Sequence, residues 1–224
     1  AMNNLKAVKN ALGHETKYNY DNLNRPTAVK DPENNNNQYN YDAIGNVTSV
    51  VMANGRTINY TYDRLNRVTA VNDNSGTIAS LSYDKNNNVT SYTNGTGATV
   101  NALYDSLDRI KNITDPLGNS TAYTYDKNNN ITSVTDREGR ISFYTYDSLD
   151  RIKTFTDNNG FVITAGYDAM NNVTSLKDQN NNTTTYTYDN LNRRNTMTYP
   201  GGSFLQYGYD NKGNLTSKRL TDGT

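Results

Sequence analysis

The chain has no cysteine, no tryptophan, one histidine and four prolines among its 224 residues. Without cysteine there is no disulfide framework and no thiolate to act as nucleophile or ligand. With His14 as the sole imidazole, a zinc site or a Ser-His or Cys-His nucleophile pair lacks its partners. No metal, no cofactor and no catalytic set is expected, and the chain does not read as an enzyme. Charge of one sign is missing too: 22 Lys and Arg balance 22 Asp and Glu, so no net field draws in nucleic acid or an anionic membrane. Neither nucleic acid nor membrane insertion is expected, because apolar runs long enough to cross a bilayer are also absent. Only 33% of residues are hydrophobic, a composition near that of disordered chains but for 19 tyrosines, each a large amphipathic side chain. Any core must be thin and rich in tyrosine. Ala1-Met2 reads as an added start, so a fragment of a larger protein is expected.

What is present is one phrase repeated. Tyr-Asp recurs at Tyr20-Asp21, Tyr41-Asp42, Tyr62-Asp63, Tyr83-Asp84, Tyr104-Asp105, Tyr125-Asp126, Tyr146-Asp147, Tyr167-Asp168, Tyr188-Asp189 and Tyr209-Asp210, every 21 residues without insertion or deletion. A fixed period overrides the domain count that length alone suggests, and residues 1–224 read as a single quasi-linear array of about ten units. Numbering each unit from its Tyr as 0, position +4 is always Asn, Asp or Gly, as in Asn24, Gly45 and Asp108. Position +14 is always Gly or Asn, from Asn34 and Gly55 to Gly223. These residue types tolerate positive φ. Asp opens the first turn in every unit and often the second, as in Asp115-Pro116-Leu117-Gly118 and Asp157-Asn158-Asn159-Gly160. Asp first and Gly fourth in a type I turn, with the Gly left-handed, is a recurrent hairpin connection. Asp115-Pro116 is in phase with the other second turns and reads as a turn, not as a cleavage site.

The runs between turns are about six residues long, the usual strand length and too short for a stable helix. The fold class is all-β, a repeat array of 21-residue β-hairpins. Runs such as Ile58-Asn59-Tyr60-Thr61-Tyr62 alternate and place Tyr at 0 and −2 on one face; 17 of the 19 tyrosines occupy those two positions. The other run, for example Val47-Thr48-Ser49-Val50, has apolar residues at +6 and +9, three apart, which fits no alternation and leaves its faces open. With the partial units at each end, roughly 21 strands follow in up-and-down order. At about 4.8 Å per strand the sheet is about 100 Å wide. A flat ribbon of that width with one apolar face does not persist in water. A curled antiparallel strip is therefore expected, part of a spiral shell or open barrel with Tyr and Val inward.

A second period of 42 residues lies above the first. Alternate units carry Leu at +3 and Arg at +5, giving the row Arg25, Arg67, Arg109, Arg151 and Arg193; the intervening units carry Asn46, Asn88, Asn130, Asn172 and Asn214 at +5. The guanidinium groups are placed to pair with Asp at +1 or to stack on a neighbouring Tyr. That makes them a structural ladder on one reading and a candidate ligand-facing row on the other. The Leu-bearing hairpins are expected to cover a seam that the Asn-bearing ones do not. The Asn-x-Thr sequences at those Asn residues match the glycosylation acceptor, but the repeat phrase generates them by itself. Asp84 and Asp126 open Asp-Lys-Asn-Asn-Asn stretches that lack the Glu and Gly of a calcium loop. Carboxylates recur at every turn, so no pair stands out as acid and base.

The phrase Tyr-x-Tyr-Asp-x-x-Gly-Arg/Asn-Val/Ile-Thr-Ser-Val-Thr-Asp-x-x-Gly, well seen in residues 123–139, closely resembles the YD repeats of the Rhs family over essentially residues 3–224. That family includes bacterial Rhs and wall-associated polymorphic toxins, insecticidal toxin-complex subunits and animal teneurins. The resemblance implies β-hairpins wound into a hollow shell around a C-terminal toxin. The segment that ends such shells and cleaves the cargo is not found here, so no proteolytic residue carries over. The implied function is a structural β-shell scaffold that encloses or presents a C-terminal toxin or effector, secreted or on the surface of a bacterium. Its implied partners are the remainder of its own polypeptide, as cargo and further repeats. Two other partners are weighed beside these: cell-wall or surface glycans, for a carbohydrate-binding or adhesion module, and other copies of the chain meeting at open sheet edges.

Overall fold

The computed structural model describes residues 4–222, in which 21 β-strands run from Ala7–Lys9 to Leu215–Thr221 with no helix among them. Ala1-Met2 and Gly223, the last expected turn glycine, lie outside the described residues. Two compact units divide the chain, Ala1–Gly118 and Asn119–Thr224. In the first, eleven strands up to Ile110–Thr114 pair in sequence order, each antiparallel to the next. In the second, ten strands from Ser120–Tyr125 onward do the same.

The turns form as their residues dictate. At +4, φ is 63° at Asn24 and Asn66, 103° at Gly45 and 61° at Asp108; at +14 it is 83° at Gly55 and 85° at Gly118. Around Gly45 the loop has three residues: the Asp42 amide donates to the Asn46 carbonyl at 2.9 Å, and the Gly45 amide to the Asp42 carbonyl at 3.3 Å. Asp115 to Gly118 is such a turn, closed by the Gly118 amide on the Asp115 carbonyl at 3.0 Å. The hairpin at Asp73 departs from the rule. Asp73 pairs directly with Gly76, leaving two loop residues, and the register slips between Val71 and Asn72 so that Ile78 is extra.

The faces of the second run are settled by a β-bulge. Between Thr57–Tyr62 and Val68–Asp73, Tyr60 pairs with Val71 and Thr61 with Ala70, but Tyr62 pairs with Val68, which leaves Thr69 extra. The same slip recurs beside the Tyr of each of the ten Tyr-Asp pairs, always with the extra residue at +7. A bulge residue inverts the parity of the strand, so residues at +6 and +9 both face the tyrosines although three apart. The spacing that fitted no alternation is the sequence trace of this bulge.

Among the described residues only Ile58 and Ala79 are buried, while the tyrosines at 0 and −2 are half-buried throughout. The core is thus a half-covered tyrosine face, thin as composition requires. The leucines at +3 do not cover a seam within the chain: Leu65 is 62% exposed and Leu191 71%.

Candidate functional site

The recurring polar side chains gather at the first turn of each unit. In the hairpin at Asp63, one carboxylate oxygen accepts the amides of Leu65 at 2.8 Å and Arg67 at 3.1 Å, and the other accepts Arg67 Nε at 2.7 Å. The Arg67 side chain and amide hold this carboxyl below the ordinary aspartate value of 3.8, against the opposing effect of desolvation. Asp105 and Asp147 are lowered in the same way by Arg109 and Arg151. In the other class the amide of Asn88 takes the place of the guanidinium and lowers Asp84.

The +5 side chain then reaches the next unit. Arg67 stacks 4.5 Å above the ring of Tyr83 and donates Nη1 to the Asp84 carbonyl at 2.8 Å and to Asn87 Oδ1 at 2.9 Å. Arg151 does the same with Tyr167, Asp168 and Asn171. Arg25 stacks on Tyr41 and donates to the Asp42 carbonyl, and Arg193 stacks on Tyr209 and donates to the Asp210 carbonyl. Arg109 is bonded to Asp105 at 2.7 Å. These five side chains are between 19% and 28% exposed, because each lies in the notch between its own turn and the following one. Asn residues make the shorter version of the link: Asn88 Nδ2 donates to Asp84 Oδ2 at 3.0 Å and to Asp108 Oδ1 of the next turn at 2.7 Å. The 42-residue period is therefore an alternation of two hairpin-to-hairpin links, one by a stacked cation and one by an amide. A sugar on Asn46 or Asn88 would replace a hydrogen of this link, since both amide groups bond forward and back.

A second device, unforeseen in the sequence, explains why position 0 is always Tyr rather than Phe. The Tyr62 hydroxyl donates at 2.8 Å to the carbonyl of Val47, fifteen residues back, where the previous bulge begins. The same bond joins Tyr41 to Pro26, Tyr83 to Val68, Tyr146 to Ile131 and Tyr188 to Val173, at 2.7–2.8 Å. Each of these tyrosines thus pins the irregular point of the hairpin before it, where a bulge interrupts the ladder. Burial of the rings pushes the phenols of Tyr41, Tyr62 and Tyr146 up from their ordinary value.

This arrangement joins hairpins. His14 is exposed in a second turn, and among the described residues no three His, Asp or Glu side chains form a metal-sized group. At Asp84 both carboxylate oxygens are occupied by turn donors.

Fold and turn row together define an antiparallel β-hairpin repeat protein whose recurring side chains tie each hairpin to the next. The chain belongs to the Rhs repeat family: the model of the RHS Repeat matches residues 3–35, 41–78, 104–141 and 167–203, more than half of the sequence. No curated protein matches it in sequence. Among solved structures it is similar to the crystal structure of TcdB2-TccC3, at 14% identity over 96% of this chain and 18% of that one, with a TM-score of 0.41. It is also similar to the Photorhabdus luminescens Tc holotoxin pore, at 15% identity over 96% of this chain and 17% of that one, with a TM-score of 0.38. A porin-like protein from Bacteroides uniformis aligns at 14% identity over 92% of this chain and 88% of that one, with a TM-score of 0.26. This chain spans under a fifth of the length of the toxin-complex chains it matches.

Proposed function

We propose that this chain is one uninterrupted array forming a curled section of wall in a longer, secreted or surface-displayed bacterial Rhs protein, which encloses or presents a C-terminal toxin or effector. Its role is structural. The observation that carries the reading is the direction of the recurring polar groups: Asp at +1, Arg or Asn at +5 and the hydroxyl of Tyr at 0 bond to their own or the adjacent hairpin. Such side chains build a continuous sheet. Membership of the Rhs repeat family supports the same role.

Limited proteolysis of the complete polypeptide tests the proposal. Its C-terminal segment should resist protease in the intact protein and become cleavable when 42 residues, two units in phase, are removed from this section. A C-terminal segment cleaved equally fast in both would reject the enclosing role.

A further inference from the structure

One place on the tyrosine face breaks the repeat. Position +6 is Pro, Val, Ile or Leu in nine units and Arg194 in the tenth; position +9 is apolar or Tyr in nine and Lys218 in the tenth. Both positions share the tyrosine face because of the bulge between them. Arg194 lies 4.7 Å from the centre of the Tyr186 ring, and Lys218 Nζ lies 5.9 Å from that of Tyr207. Partial burial opposes the charge on Arg194, but hydrogen bonds with Tyr207 and Tyr188 outweigh it and raise its pKa above the ordinary value. Arg194 and Lys218 stand on the two strands that flank Phe204–Tyr209, so the two cations bracket Tyr207.

Neighbouring Arg193 shows the contrast. Its guanidinium is committed to Asp189 at 2.7 Å and stacked on Tyr209. Arg194 and Lys218 are exposed, and neither is in an ion pair within the described residues. A guanidinium fork without a carboxylate is a receptor for an oxyanion. Carboxylate fits better than phosphate here. The strand amides beside Arg194 are taken up in the ladder on both sides, so no cluster of backbone N–H groups is free at the guanidinium to neutralise a dianion. Half-buried Met197 and Leu205 beside the rings suit the aliphatic stem of a glutamate.

We propose that Arg194 and Lys218, bracketing Tyr207 on the tyrosine face, form a binding site for the carboxylate side chains of an acidic peptide segment. The site works in the isolated chain and does not depend on the enclosing role proposed above. The test is titration of this chain with an end-blocked peptide of alternating Glu and Leu, read by fluorescence anisotropy, against Arg194→Val and Lys218→Val together. These substitutions restore the residues that the phrase uses elsewhere. Arg194→Gln provides a polar variant in case valine alters packing. The peptide should bind the unaltered chain and bind both variants at least about tenfold more weakly. Its Gln counterpart should not bind, and inorganic phosphate should not compete. Equal affinity in the variants, absence of peptide binding, binding of the Gln peptide, or displacement by equimolar phosphate would each overturn the assignment.

Discussion

Replacing Tyr62 by Phe removes one atom, the hydroxyl that donates at 2.8 Å to the Val47 carbonyl, and leaves the ring in place. Tyr60, two residues earlier on the same face, has a half-buried ring but no hydroxyl bond, so Tyr60→Phe is the matched control. A neutral, part-buried hydrogen bond contributes about 1 kcal/mol net, and its loss strands a carbonyl beside a bulge. Tyr62→Phe is thus expected to lower local stability by about 1 kcal/mol, and Tyr60→Phe by less than about 0.5 kcal/mol. In a quasi-linear array the loss stays near the altered link, so a global melting curve dilutes it. Hydrogen exchange resolved by peptide is the better assay: amides of Val47–Val51 and Thr57–Tyr62 should exchange about fivefold faster in Tyr62→Phe and at an unchanged rate in Tyr60→Phe. Tyr62→Phe together with Tyr188→Phe, distant along the array, should show two separate local effects of similar size. Equal effects at Tyr60 and Tyr62, or none at Tyr62, would refute the clamp.

Arg67→Lys keeps the charge but loses the fork on Asp63 and the flat stack on Tyr83; exchange across Val68–Asp73 should rise more than the corresponding change for Arg140→Lys, whose side chain is 61% exposed. Acid should loosen the array. The turn aspartates Asp63, Asp105 and Asp147 have folded pKa values below 3.8, so their contribution is complete above that value and is lost as pH falls through the lower folded ones. Thermal melts by circular dichroism should fall in midpoint between about pH 4 and pH 2, and a midpoint that stays level or rises there contradicts the capping role. Gly55→Ala forces a Cβ into φ of 83° and should destabilise its hairpin by about 1 kcal/mol, whereas Gly201→Ala, at ordinary φ with open space around it, should be neutral. Urea midpoints that move equally for the two would argue against the left-handed turn as the cause.

Local chemistry was the legible part of the sequence. Asp at +1 with Gly or Asn at +4 and +14 specifies a turn within five residues, and Tyr alternation specifies a face within six. Whatever depended on the neighbouring hairpin was hidden. The bulge at +7 appeared only as an apolar spacing of three, since alternation carries no mark for an extra residue until the partner strand is known. Arg67 and Tyr83 are 16 residues apart and meet only because two consecutive strands bring their turns side by side. The row of arginines was visible; that one guanidinium serves Asp63, Tyr83 and Asp84 together was not. The hairpin at Asp73 reads like its fellows in sequence yet closes with two loop residues, and nothing in Asp73-Asn74-Ser75-Gly76 distinguishes it beforehand. Arg194 was passed over in the sequence, where +6 reads as apolar; the departure acquires meaning only once +6 is known to face the tyrosines.

The most direct test of the central claim is an electron cryo-microscopy map of the complete polypeptide that contains this section. The scaffold reading predicts residues 4–222 as continuous hairpins in a wall, with the Tyr60 and Tyr62 side turned toward an enclosed C-terminal segment. A C-terminal segment lying outside, with the tyrosine face open to solvent or gripping a glycan, would contradict it.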